Sequence, residues 1–85
     1  MDQKYSLFNT ELKPYEHGIH LNVRDDQGKM IGEINAMRKR RVDSLELKAV
    51  VKGLLSADDT FRVLVEKATK TLPAYTDTLE IRFIF

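Results

Sequence analysis

The feature that most constrains this chain is a change of hydrophobic period across the block Arg38-Lys39-Arg40-Arg41. Before the block, Ile19, Leu21 and Val23 alternate with His20, Asn22 and Arg24, the period of a strand with one buried face. After it, Leu47, Val50, Val51 and Leu54 recur at i, i+3, i+4 and i+7, the period of a helix with one buried stripe. The strand-like run Met30–Met37 feeds directly into the block and a helix opens at Val42-Asp43-Ser44-Leu45-Glu46, so the chain turns from strand to helix there. The stretch Met30–Leu55 is therefore the frame against which the other elements pack.

The signals on either side of the block agree with that reading. Asp25-Asp26-Gln27-Gly28 supplies turn chemistry, with Gly28 free to take positive φ, and makes a hairpin of Ile19–Arg24 and a returning strand from Lys29 or Met30 to about Met37. Ile34, with Ile31 or Met30, is that strand's contribution to the core. Asp43 is placed to accept from the free amides of a first helical turn, with Glu46 three residues on as in a capping box. Val42 and Leu47 occupy the positions of a hydrophobic staple, and Gly53 is expected to end or loosen the helix by adopting a left-handed cap.

A second helix is expected to start at Ser56 as cap, with Asp58 and Asp59 in its first turn, and to stop at Pro73. Phe61, Leu64, Val65, Ala68 and Leu72 form its apolar stripe. Leu79, Ile81, Phe83 and Phe85 then alternate with Thr78, Glu80, Arg82 and Ile84, which predicts a strand running to the last residue. At the other end, Lys4–Asn9 is read as a short strand and Thr10–Gly18 as a connection containing Pro14.

Together these elements predict one α+β domain over residues 1–85, with no linker and no internal repeat. It is a small single domain in which a β-hairpin, an αα-hairpin and a C-terminal strand form an antiparallel sheet with two helices packed on one face. The last strand should run antiparallel to the second strand of the hairpin. The expected core is Ile19, Leu21, Val23, Ile34, Leu47, Val50, Val51, Leu54, Phe61, Leu64, Val65, Ala68, Leu79, Ile81 and Phe83. The composition, 42% hydrophobic and 32% charged, fits a folded chain and not a disordered one.

Function is less legible. The net charge of +1 implies no particular partner, but its distribution is uneven. Residues 1–37 hold four Lys/Arg against six Asp/Glu, and residues 38–85 hold ten against seven, four of the ten being the block itself. Arg38, Lys39, Arg40 and Arg41, extended by Lys48 and Lys52 at i, i+4 on the first helix, are thus the candidate site for phosphates or for an acidic protein surface. No Gly-x-x-Gly loop and no aromatic pair in a Gly-rich strand is present, as KH and RNA-recognition modules would require. A helix-turn-helix alignment on Ala49 and Gly53 puts Lys52, Asp59 and Arg62 at packing positions, which excludes it. Near-neutral net charge gives little long-range attraction to a polyanion, so a protein partner ranks slightly ahead of nucleic acid.

Catalysis has little support. There is no cysteine, no Gly-x-Ser-x-Gly turn and no phosphate-cradling Gly-rich loop, so a non-catalytic adaptor, subunit or inhibitor is expected, with no cofactor. His17 and His20, the two histidines, lack helical spacing and a fourth ligand, so no metal site is expected. Tyr5, Phe8, Tyr15, Met37 and Tyr75 are candidate contact residues if they cluster at the surface. No apolar run reaches membrane-spanning length, and a cytoplasmic location is the expectation. An apolar final strand left at a sheet edge would permit a homodimer or edge-mediated partner binding.

Overall fold

The structure, a computed structural model, describes residues 3–15 and 17–84. Four strands, β1 (Glu11–Tyr15), β2 (Gly18–Arg24), β3 (Met30–Arg38) and β4 (Thr76–Phe83), form one antiparallel sheet in the order β1-β2-β3-β4. Two helices, α1 (Ser44–Leu54) and α2 (Phe61–Thr71), connect β3 to β4 and pack on one face. The fold is the expected α+β arrangement, with β4 antiparallel to β3.

The strand parity of the sequence becomes the two faces of the sheet. Ile19, Leu21 and Val23 of β2 meet Ile34 and Ala36 of β3 beneath Leu47 and Val51 of α1 and Phe61, Leu64 and Ala68 of α2, all fully buried in one cluster. Arg24 pairs with Met30 but Val23 with Gly32, which leaves Ile31 as the extra residue of a β-bulge. The bulge lets Ile31 enter the core along with Ile34 although they stand three positions apart. Gly32 sits under the ring of Phe61, where a Cβ would lie 2.3 Å from Phe61 Cε1. The absent side chain is what lets α2 lie so close to the sheet. Of the remaining expected core residues, Val50, Leu54, Val65, Leu79 and Ile81 pack against the cluster from its margin. Phe83 stands apart, 50% exposed with its ring edge-to-face on Phe61 at 5.0 Å.

Asp43 caps α1 as expected, accepting from the Leu45 amide at 2.7 Å, and Gly28 takes φ 83° in the hairpin turn. Four local expectations need correction. Gly53 stays inside α1, which ends on an extended Leu55 with no left-handed residue. Ser56 caps only a turn, accepting from the Asp58 amide, and the cap of α2 is Thr60, which accepts from the Val63 amide at 3.3 Å. The expected strand at Lys4–Asn9 reduces to isolated bridges, Lys4 to Thr60 and Tyr5 to Asp25, followed by a 3-10 turn at Leu7–Asn9. The edge strand lies instead at Glu11–Tyr15, inside the expected connection. An edge strand tolerates Pro14 because a missing N–H there can face the open side. The expectation for Phe85 falls outside the described residues.

Tyr5 replaces that first strand as the N-terminal anchor. Its ring is fully buried, and its hydroxyl accepts from the Ser56 amide at 3.0 Å. Burial disfavours the phenolate and pushes the Tyr5 pKa above its ordinary value, while the hydrogen bond from Ser56 pulls the other way.

A candidate binding corner

The basic block occupies the place where β3 leaves the sheet for α1, and that corner is pinned from both sides. The Arg38 amide donates to the His17 carbonyl at 2.7 Å, and the Lys39 amide donates to the Tyr75 carbonyl at 2.9 Å. The Val42 amide closes a tight turn on the Lys39 carbonyl at 2.9 Å. Val42 then packs against the core and Asp43 caps the helix, so the four basic residues sit on backbone that is fixed at its start and its end.

Within this frame the six candidate residues separate. Arg38 is half-buried, and its Nη1 donates to the Val42 carbonyl at 2.6 Å, so its guanidinium helps hold the turn. Lys39, Arg40 and Arg41 are exposed, and among the described residues no carboxylate pairs with them. Lys48 is half-buried one turn into α1. Lys52 is exposed in the last turn, where its charge complements the helix C-terminus. The helical rise carries Lys52 about 12 Å beyond the start of α1, away from the block. The corner therefore gathers three cations with no carboxylate partner among the described residues and one structural arginine, with Lys48 and Lys52 strung along the helix.

Beside the block lies an open depression of about 500 Å³ lined by His17, Met37, Arg38, Arg40, Asp77 and Thr78. Sequence reasoning missed His17, Asp77 and Thr78 here because they come from the β1–β2 turn and the start of β4. Only the register, Gly18 opposite Met37 and Met37 opposite Thr78, brings them to the block. Met37 and Tyr15 are exposed near this end of the sheet, whereas Tyr5 is buried and Tyr75 packs on the core. The five candidate contact residues thus do not form one patch. Phe8 is fully exposed on the 3-10 turn.

The rest of the open sheet face is a polar lattice. His20 bridges to Asn35 across the strands, and its Nε2 lies 2.7 Å from Asn22 Oδ1 and 3.8 Å from Glu33 Oε2. Arg82 Nη1 reaches Glu33 Oε1 at 3.0 Å. Far from the corner, Asp59 pairs with Lys67 and raises its pKa, an ion pair that ties the 56–59 turn to α2.

Comparison of the chain with protein-family models, with curated proteins and with solved structures gave no match. The functional reading therefore rests on the corner itself.

Proposed function

We propose that this is a small non-catalytic binding protein, of the adaptor, subunit or inhibitor kind, that recognises an acidic protein surface in the cytoplasm through its basic corner. The observation that carries the reading is the exposure of Lys39, Arg40 and Arg41 on a pinned turn with no carboxylate partner among the described residues. Charges held on fixed backbone lose little freedom on binding, and exposed ones steer association with an oppositely charged surface. The neighbouring depression combines Met37, which suits an apolar contact, with Asp77, which repels a phosphate backbone. That mixture favours a protein over nucleic acid, for which Arg38 is also committed elsewhere.

The test is affinity capture from native cytoplasmic extract with wild type and an R40A/R41A double variant, with and without nuclease. A protein retained after nuclease, lost with the double variant and weakened by salt supports the reading. Retention that disappears with nuclease transfers the corner to nucleic acid. Equal capture by both chains removes the corner from the interaction.

A further inference from the structure

The β4 edge carries its own information about a partner. Among the described residues no strand pairs on its outer side. The Ile84 amide donates to the Ile31 carbonyl at 2.9 Å, which makes that pair a hydrogen-bonded one in the ladder. Alternation along an antiparallel pair then turns the main-chain groups of Glu80 and Arg82 toward β3, and those of Leu79 and Ile81 out of the sheet. The outer edge thus offers amides and carbonyls flanked by apolar side chains that the helices leave partly uncovered, with Phe83 half-exposed beside them. Unlike β1, it has no proline to discourage pairing.

We propose that this edge pairs antiparallel with β4 of a second copy of the chain, about a two-fold axis at Ile81. Charge selects the register. An axis at Glu80 would set Glu80 against its own copy, and an axis at Arg82 would do the same for Arg82; like charges directly opposite destabilise a sheet. An axis at Ile81 sets Glu80 opposite Arg82 of the other copy, twice, in pairs of the closer, non-hydrogen-bonded kind. Arg82 would then lie between Glu33 of its own chain, 3.0 Å away, and Glu80 of the partner strand. On the helix side the same register stacks Leu79 on Phe83 of the other copy and covers that ring's exposed half. The eight-stranded sheet so formed brings Ile84 of the other copy opposite Thr78 at the rim of the depression but uses none of Lys39, Arg40 and Arg41, and the inference does not depend on what those residues bind.

Sedimentation equilibrium of the full chain, from micromolar to near-millimolar concentration, reads the outcome directly. Wild type should pass from 9.8 kDa to twice that mass as concentration rises. E80R makes positions 80 and 82 both basic and R82E makes them both acidic, so each variant alone should associate roughly tenfold more weakly or worse. An equimolar mixture should recover the dimer, because the two altered edges complement each other. Circular dichroism of each variant checks that the fold is intact. Wild type that stays at the monomer mass throughout overturns the proposal. So does wild-type-like dimerisation of either folded variant, or a folded mixture that stays monomeric.

Discussion

The two faces of the sheet are built from the same strands by opposite means. On the covered face Ile19, Leu21, Val23, Ile34 and Ala36 are held by shape, with Gly32 giving up its side chain so that Phe61 can approach. On the open face His20, Asn22, Glu33, Asn35 and Arg82 are held by hydrogen bonds and charge, and they shelter one another. Glu33, on a face no helix covers, has a side chain only 15% exposed. A strand that alternates apolar and polar residues is usually pictured with one dry face and one wet one. Here the second face is a partly enclosed polar layer, and it need not contribute to stability in the way the first does.

The largest effects should come from the covered face. Leu64→Ala or Phe61→Ala should cost about 2–5 kcal/mol, since each removes a fully buried side chain that its neighbours cannot replace. That is a large part of the stability available to a domain of this size. Urea denaturation measures it, and a loss below about 1 kcal/mol would contradict the assigned helix face. Gly32→Ala probes the same contact from the sheet side. Its Cβ would stand 2.3 Å from Phe61 Cζ and 2.8 Å from the Arg82 carbonyl oxygen, so a loss of about 1–3 kcal/mol is expected. Combining it with Phe61→Leu should cost less than the sum of the two single changes, because the smaller side chain removes part of the clash.

These residues also mark what the sequence could and could not convey. The alternation in β2, the turn at Gly28 and the cap at Asp43 are local, and each is complete within a few residues. β1 is different: its five residues place only Leu12 in contact with the core margin, and Pro14 argues against a strand unless the strand is known to be an edge. Ser56 and Thr60 are equally competent caps by chemistry. The choice of Thr60 lets Phe61 begin α2 directly over Gly32, a tertiary reason invisible from either hydroxyl. The basic block was plain in the sequence, but the division between structural Arg38 and exposed Lys39–Arg41 depends on the Val42 carbonyl, which only the fold brings within reach.

Tyr5 sits between the two regimes, an aromatic ring in the covered core whose one polar atom still needs a partner. Tyr5→Phe should cost about 1 kcal/mol by leaving the Ser56 amide without its acceptor. The buried phenol also predicts a pH dependence. Its folded pKa lies above the ordinary 10.0, so its protonated form is the one the fold favours. The stability tied to it is fully present below pH 10.0 and is lost as pH rises through the folded pKa. Lys67, raised above 10.5 by Asp59, loses its pairing in the same direction at a half-buried site. Thermal melts between neutral pH and pH 11 should therefore fall more steeply for wild type than for Tyr5→Phe. Parallel curves would show that the phenol is not buried as described.

The smallest effect should belong to the open face, and it is the sharpest test of the contrast. Glu33 and Arg82 form its best-placed ion pair, 3.0 Å apart, yet the Arg82 side chain is 69% exposed and the pair is open to water on one side. Exposed pairs of this kind contribute about 0.2–1 kcal/mol, less as salt is raised. Glu33 is the more enclosed partner, with His20 Nε2 on its other side at 3.8 Å, so changing it alters more of the polar layer than changing Arg82 does. A double-mutant cycle with Glu33→Gln and Arg82→Met isolates the shared term. It should be run at a concentration where any pairing through β4 is absent, because Arg82 lies on that edge. A coupling of about 0.5 kcal/mol that shrinks in high salt would place the open face with ordinary surface electrostatics, despite its low exposure. A coupling above about 2 kcal/mol, insensitive to salt, would mean that the enclosed polar layer behaves like an interior, and that both faces of the sheet hold the fold together.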